Sequence, residues 1–122
     1  MLFYSNSFQF LAIKPLIAPI KCMILPLSNN EQFRPIIDQV ANMLRRQDVS
    51  FRIDDSSSSI GRRYSRADEV GVPFAITIDF ETLKDQTVTL RERDEGNQVR
   101  GSVRRDVSYV ICRLTTIFRL PR

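Results

Sequence analysis

The sequence predicts an α/β domain of three layers, in which a mixed sheet of about five strands lies between helices. Short apolar, β-branched runs alternate with amphipathic helical patterns along the chain. A length of 122 residues suits one domain, and 43% hydrophobic against 26% charged residues indicates a packed core. No internal repeat or long linker divides the chain.

The first half of the chain predicts two strands with a helix between them. Residues 20–25 form an apolar run that ends at Pro26, which is typical of a strand covered on both faces. The stretch SNNE at 28–31 predicts a capping box, and helical apolar spacing then continues to Arg46. Pro35 indicates a kink or a later helix start. Residues 50–54 predict the second strand.

The second half predicts a helix, three strands and a last helix. In the second predicted helix, Ser59 is the expected N-cap and Gly71 the expected end. The buried stripe of this helix is predicted to consist of Ile60, Tyr64 and Ala67. Strands are predicted at 73–79 and 87–92, joined by a hairpin loop that contains 84–86. An edge strand at 98–103 and a helix from about Asp106 are predicted to follow.

Composition excludes several kinds of chemistry. The chain has no histidine, which removes the Ser-His-Asp and Cys-His catalytic arrangements and the commonest metal ligand. Cys22 and Cys112 are far apart, so we expect two buried thiols rather than a disulfide framework or a zinc site. Paired Asp54 and Asp55 are more typical of a loop cap than of an acid and base.

The net charge of +4 is only a weak indication of a nucleic-acid partner, because the excess comes from Lys14, Lys21 and the arginine-rich end. The N-terminal 22 residues are apolar but are broken by prolines and polar residues and contain no arginine. They therefore match neither a signal peptide, a membrane span nor a transit peptide. We expect a soluble intracellular protein with no membrane partner.

The stretch IGRRYSRADEVG, residues 60–71, has three interpretations. A nucleotide-binding loop is rejected, because Gly61 stands alone and no P-loop lysine follows. A structural helix would carry Arg62, Arg63 and Arg66 as solvated charges. Three arginines near a helix start oppose the helix dipole, so either an RNA phosphate or a carboxylate such as Asp54 should compensate them.

A second candidate surface lies at the end of the fourth predicted strand. Arg91 and Arg93 would supply forked donors, and Asp79 and Glu81 would supply acceptors, for the edges of unpaired bases. Phe80 would offer a stacking plane. From composition alone this is a weak indication, since charged residues at strand ends are usually just solvated.

The order of IGRRY, ADEVG, PFAITID and TLRERD closely resembles the anticodon-binding domain of eukaryotic-type glycyl-tRNA synthetases, over roughly residues 15–114. The resemblance implies the three-layer anticodon-binding domain that class II synthetases for glycine, histidine, proline and threonine attach after the catalytic domain. Its implied partner is the anticodon loop of tRNA(Gly). By the same resemblance, the RNA-facing residues are Arg91, Arg93 and the 79–82 loop, less surely 26–29, with Arg62, Arg63 and Arg66 supporting the loop or contacting phosphate.

The chain also departs from the family. Ser58 stands where the family has glycine, and residues 1–14 and 117–122 lie outside the expected domain at 15–116. The class II catalytic motifs are absent from these 122 residues. The resemblance therefore implies no cofactor in this chain, with ATP and magnesium belonging to the parent catalytic domain, and no aminoacylation by the chain alone.

The leading hypothesis is an anticodon-loop-binding module that contributes tRNA(Gly) recognition to glycyl-tRNA aminoacylation. The alternatives are an accessory or dimerisation module of the same fold, whose partner is a catalytic-domain chain or a second copy, and a gene fragment without a role of its own. An intact small enzyme is disfavoured, because no catalytic constellation is present. The expected compartment is the cytoplasm, with mitochondria as a second.

Overall fold

The computed structural model describes residues 19–94 and 96–118, with side chains to Leu114. The expectations for residues 1–14 and for the tail 117–122 therefore lie essentially outside the described part. A single 3-10 turn (Glu31–Phe33) precedes the first helix, and the elements are β1 (Cys22–Pro26), α1 (Arg34–Arg46), β2 (Phe51–Ile53), α2 (Ile60–Glu69), β3 (Phe74–Ile78), α3 (Phe80–Asp85), β4 (Thr87–Glu92), β5 (Gln98–Ser102) and α4 (Val103–Phe118).

The strands form one mixed sheet in the order β2-β1-β3-β4-β5. β1 pairs in parallel with both β2 and β3, whereas β3 with β4 and β4 with β5 pair antiparallel. Parallel neighbours need a crossover, which α1 and α2 provide, while the antiparallel strands need only short connections. The predicted mixed α/β sheet is confirmed.

The sheet has a helix layer on each face, because side chains along a strand alternate between its two faces. On one face, Ile24, Ile76 and Val88 pack in a core that includes residues of α1 and α4. On the other face, Leu25 packs in a smaller core with Ala67 of α2. β1 and β3 are therefore buried along their whole length.

The hairpin loop expected between β3 and β4 is wrong, since this link forms the short helix α3. Asp79 is its N-cap: the Asp79 carboxylate accepts from the Thr82 N–H at 3.2 Å, and the Thr82 hydroxyl accepts from the Asp79 N–H at 3.1 Å. Gln86 ends the helix in the left-handed conformation, with φ of 60°. This reciprocal cap satisfies two otherwise free amides, which the apolar pattern did not reveal.

Other helix ends are partly as predicted. Ser59 caps α2, accepting from the Arg62 N–H at 3.2 Å, and Gly71 follows with φ of 78°. The sequence predicted Ser28 as the N-cap of the first helical segment, but the structure does not place it there. Asn30 takes that position, because its side chain reaches the Gln32 N–H at 2.8 Å. The later start signalled by Pro35 is confirmed, since α1 begins at Arg34.

α4 begins three residues earlier than expected, at Val103, and the Ser102 hydroxyl accepts from the Arg105 N–H at 3.1 Å. The expectation of two buried thiols is half wrong: Cys22 is buried in β1, but Cys112 lies on the exposed side of α4. Among the helices of residues 19–118, none is long and apolar enough to cross a membrane.

Candidate nucleic-acid interface

The face of β4 and β5 that points away from α1 and α4 is polar. Val88 and Leu90 enter the main core, so Thr87, Thr89 and Arg91 must point to the opposite face. Thr89 lies opposite Arg100 in the β4–β5 register. We call the surface formed by Thr87, Thr89, Arg91 and Arg100 the open face.

Arg100 is the most highly connected residue of the open face. Its guanidinium binds the Asp79 carboxylate with two hydrogen bonds, of 2.8 and 2.9 Å, and donates to the Thr87 hydroxyl at 2.8 Å. Glu81 lies 3.4 Å from the same guanidinium. The hydrogen bond from Arg100 is the main reason why the pKa of Asp79 is lowered. The forked donor is thus held at the loop that was predicted to contact RNA.

Sequence reasoning missed Arg100 as a site residue. A signal was nevertheless present: in QVRGS, alternation places Arg100 on the face opposite Val99. The register with β4, which joins Arg100 to Thr87 and Thr89, is a tertiary feature that a single strand does not specify.

Arg91 lies on the open face as predicted, but it is already paired. It binds the Asp68 carboxylate with two hydrogen bonds, of 3.0 and 3.1 Å. Its guanidinium carbon also lies 4.9 Å from the centroid of the Tyr64 ring. The Tyr64 hydroxyl is hydrogen-bonded in turn to Thr77 of β3. Arg91 is therefore a fixed, charge-compensated donor rather than a mobile cation.

Arg93 is buried, unlike Arg91 two residues before it. Its guanidinium donates to the Gly71 carbonyl at 2.9 Å and to Asp94 at 2.8 Å. The bond to Gly71 ties the end of β4 to the turn between α2 and β3. The structure thus does not present the Arg93 guanidinium on the open face, and its predicted RNA contact stays a prediction.

The three arginines of α2 have different environments. Arg63 is only 2% exposed, so the expectation of a solvated charge there is wrong. Its guanidinium donates to four backbone carbonyls, those of Pro26, Leu27, Asp54 and Ser58, at 2.6 to 3.1 Å. The four carbonyls lie at the end of β1, just after β2 and in the loop before α2, and one guanidinium donates to all of them.

Arg62 and Arg66 remain exposed on the outer side of α2. Arg66 lies 3.2 Å from the Asp54 carboxylate and donates to the Ser58 hydroxyl at 3.0 Å. Of the two compensating partners expected for these arginines, the structure thus contains the carboxylate. Arg62 is exposed as well, and no carboxylate of the described residues forms an ion pair with it.

The remaining predicted site residues begin α3. Phe80 is 47% exposed, and its ring centroid lies 5.1 Å from that of Phe33 in a tilted arrangement. Glu81 is exposed except for its approach to Arg100. The loop therefore presents carboxylate acceptors to Arg100 of the open face, whereas the Phe80 ring lies against Phe33 of the main core, so its predicted role as a stacking surface stays a prediction.

A polar crevice opens at the carboxyl ends of β1 and β2, because α1 and α2 leave the sheet on opposite faces there. Its volume is about 260 Å³, and it includes Pro26 and Asn29 from the 26–29 stretch. The other lining residues are Ser28, Asn30, Glu31, Arg34, Ile37, Ile53 and Asp55. Both donor and acceptor side chains line this crevice, as recognition of a base or sugar requires.

The fold matches that of a domain in a solved aminoacyl-tRNA synthetase, and the sequence matches the anticodon-binding family. The chain has a TM-score of 0.72 to prolyl-tRNA synthetase from Cryptosporidium parvum, complexed with L-proline and AMP, at 18% identity over 88% of this chain and 25% of that one. The family model described as "Anticodon binding domain" matches residues 21–113. The chain belongs to this family.

Its similar sequences are glycine–tRNA ligases, which confirms the predicted resemblance. The mitochondrial glycine–tRNA ligase 1 of Saccharomyces cerevisiae is 50% identical over 110 residues, 85% of this chain and 16% of that protein. The ligase of Bombyx mori is 53% identical over 75% of this chain and 13% of its own length. That of Methanocaldococcus jannaschii is 49% identical over 86% and 18%. The chain thus spans less than a fifth of these relatives.

Proposed function

We propose that the chain is a module that binds the anticodon loop of tRNA and contributes tRNA(Gly) recognition to glycyl-tRNA formation. The observation that carries the proposal is the open face, where Arg100 and Arg91 are held by paired carboxylates in a domain of the anticodon-binding family. The glycine–tRNA ligase names of its relatives support the choice of tRNA.

The charge of the open face favours base readout over phosphate binding. Arg91 and Arg100 each have a carboxylate partner, so their net attraction for the RNA backbone is small. Fixed guanidinium, hydroxyl and carboxylate groups instead match the donors and acceptors of unpaired base edges. Phe80 supplies a surface on which a splayed base stacks.

The exposed outer side of α2 suits phosphate. Arg62 and the half-exposed Arg66 project there, while Arg63 beneath them supports the loop. We therefore assign phosphate contact to Arg62 and Arg66 and a supporting role to Arg63 and Arg93. The polar crevice that includes part of the 26–29 stretch is a second binding site for a base.

In this proposal the chain binds RNA and the chemistry takes place in a catalytic domain, which binds ATP and magnesium. Residues 15–116 form the binding domain, and the partner is that catalytic domain, as a separate chain or within an assembled dimer. Cytoplasm, with mitochondria as a second compartment, is the proposed location. One similar protein is itself described as mitochondrial.

The test is fluorescence anisotropy with labelled anticodon stem-loops at fixed, moderate salt. We expect a glycine anticodon stem-loop to bind at least tenfold more tightly than one with the same stem and a changed anticodon. Arg100→Ala should reduce affinity for the glycine stem-loop about tenfold. Arg46→Ala removes an equal charge at the far end of α1 and is the control. Equal affinity for both stem-loops would overturn the proposal.

A further inference from the structure

A groove lies on the face of the sheet opposite the open face, between β4, β5 and the first turns of α4. Its volume is about 390 Å³, within the range of small-molecule pockets. Leu90, Val99 and Tyr109 give it apolar walls, and Val99 and Tyr109 are among the exposed large hydrophobic residues of the described part. Glu92, Asn97, Arg105 and Asp106 complete the lining.

Asp106 is an unusual residue to find in this lining. It is 3% exposed, and its Oδ2 atom is the buried side-chain oxygen or nitrogen that lacks a hydrogen-bond partner among residues 19–94 and 96–114. The cation beside Asp106 is Arg105, whose Nε lies 3.9 Å from the other carboxylate oxygen, Oδ1, and whose side chain is 67% exposed. A buried carboxylate oxygen without a partner is costly, so a group that donates to it would gain substantial free energy on binding.

A second carboxylate fixes the other wall of the groove. Glu92 accepts from the Tyr109 hydroxyl at 2.9 Å, and Arg113 lies 3.5 Å from the same carboxylate. This network holds the Tyr109 ring in one orientation. The groove therefore combines a preorganised aromatic wall with acceptor groups, and its one cationic lining residue, Arg105, is mostly in solvent.

We propose that this groove binds a small organic cation, in which an ammonium or amidinium group on an apolar body pairs with Asp106 and the body lies against Leu90, Val99 and Tyr109. An anion would face two carboxylates. A neutral apolar molecule would leave the Asp106 oxygen unpaired. The site is independent of the proposed RNA surface, because it lies on the other side of the sheet.

The exposed side chain of Arg105 lies at the polar end of the groove and is weakly held there. Its guanidinium holds its place through a 3.4 Å contact with the Arg100 carbonyl and the 3.9 Å approach to Asp106, both of which are long. Gly101 lies directly under these groups, where an added Cβ would approach Arg105 to 2.2 Å and Asp106 to 2.6 Å. The polar end of the groove is thus built on Gly101, with an exposed side chain as its cover.

The groove suits a small molecule better than an extended peptide. A peptide that added to the β5 edge would need the outward-facing backbone groups of Arg100. α4 already uses one of these groups, since Arg105 donates to the Arg100 carbonyl at 3.4 Å. A peptide is therefore the competing occupant that the test must separate.

The test is a two-dimensional NMR titration of the 122-residue chain with benzylammonium, and with benzyl alcohol as the uncharged probe of equal shape. We expect saturable shifts at the amides of Val99, Asp106 and Tyr109 with benzylammonium, and affinity at least tenfold lower for benzyl alcohol. Asp106→Asn should weaken benzylammonium binding about tenfold. Arg105→Ala should strengthen it severalfold, because a competing cation and cover are removed.

If Asp106→Asn weakens benzylammonium binding and Arg105→Ala strengthens it, the groove is a binding site, because loss of a merely structural pair would change binding in the same direction for both substitutions. Equal affinity for both probes, unchanged benzylammonium affinity after Asp106→Asn, or shifts confined to other surfaces would each overturn the proposal. If the Asp106→Asn chain does not fold, unchanged or weaker binding after Arg105→Ala overturns it instead. Binding of a lysine-containing peptide without binding of benzylammonium would assign the groove to a polypeptide and overturn it as well.

Discussion

At the scale of the residue, two adjacent arginines of α2 differ in burial and in structural role. Arg62 and Arg63 are neighbours with the same chemistry, but the first is exposed and the second is 2% exposed. Arg63 satisfies backbone carbonyls from three separate segments. Burial of a guanidinium is tolerable because its donors meet acceptors already in place.

Replacement of Arg63 by methionine should reduce the free energy of unfolding by about 3 kcal/mol or more, because several buried carbonyls lose their donors at about 1–3 kcal/mol each. Urea unfolding followed by circular dichroism measures this. The matched control, Arg62→Met on the same helix, should stay within about 0.5 kcal/mol of the original chain. Similar losses for both variants would contradict the assigned role of Arg63.

The Arg100–Asp79 pair should make stability depend on acidity. Because Arg100 lowers the pKa of Asp79 in the folded chain, the folded state binds this proton less readily than the unfolded state does. The pair therefore stabilises the folded state fully at pH values above the pKa of Asp79 in the unfolded chain, which is about 4. This stabilisation is lost as the pH falls through the lower pKa of Asp79 in the folded chain.

Chemical unfolding at a series of pH values between about 2 and 6 should therefore show a smaller acid-induced loss of stability for Arg100→Gln than for the original chain. Arg46→Gln, which removes a charge from the exposed end of α1, is the control. Parallel pH profiles for the original and Arg100→Gln chains would show that the pair does not set the Asp79 titration.

At the scale of the element, α3 shows how local caps decide a connection. The link between β3 and β4 has room for a loop, but the reciprocal bonds of Asp79 and Thr82 close a helical turn. The cap places Asp79 where Arg100 of β5 reaches it. One residue thus ends a strand, begins a helix and completes the open face.

Gln86 ends this helix in a left-handed backbone conformation, with φ of 60°, which is strained for a residue with a Cβ atom. Gln86→Gly should raise the free energy of unfolding by about 0.5–1 kcal/mol, since glycine adopts this conformation without a Cβ clash. The same replacement at exposed Lys84, inside α3, should lower it by about 0.5–1 kcal/mol. Urea unfolding of both variants tests the contrast. A loss of stability for both would contradict the assigned strain.

At the scale of the whole molecule, the two kinds of arginine should give different salt dependence in RNA binding. If Arg62 contacts phosphate, Arg62→Ala should reduce the slope of log affinity against log salt by about one and weaken all stem-loops alike. Arg100→Ala should leave that slope nearly unchanged but reduce discrimination between anticodons. Titrations at several salt concentrations measure both. A reversed pattern would exchange the proposed roles of the two surfaces.

The two thiols should report on folding as a whole. Cys22 is fully buried in β1, and burial raises the pKa of its thiol to about 12, whereas Cys112 lies on the exposed side of α4. A thiol reagent at neutral pH should modify Cys112 within minutes and Cys22 only at the rate of global unfolding. Mass spectrometry of timed samples measures this. Equal rates at both residues would show that β1 opens locally.

Much of the fold follows from local pattern. The buried runs of β1 and β3, the Ser59 cap and the left-handed Gly71 follow from residue chemistry that acts within a few positions, and the structure contains all of them. The order of short motifs also identified the family, which the matched domain at residues 21–113 confirms.

By itself, the sequence thus determined most of the elements but not α3, together with the mixed arrangement and the family, because periodicity, caps and motif order are properties of neighbouring residues. Only the tertiary structure decided which arginines face solvent. Arg63 and Arg93 turn inward to carbonyls from distant segments, whereas Arg100 meets Asp79 across two strands. The reason is physical: a guanidinium is placed by acceptors that chain folding brings together, and each of the three has at least one acceptor that lies 21 or more positions away in sequence.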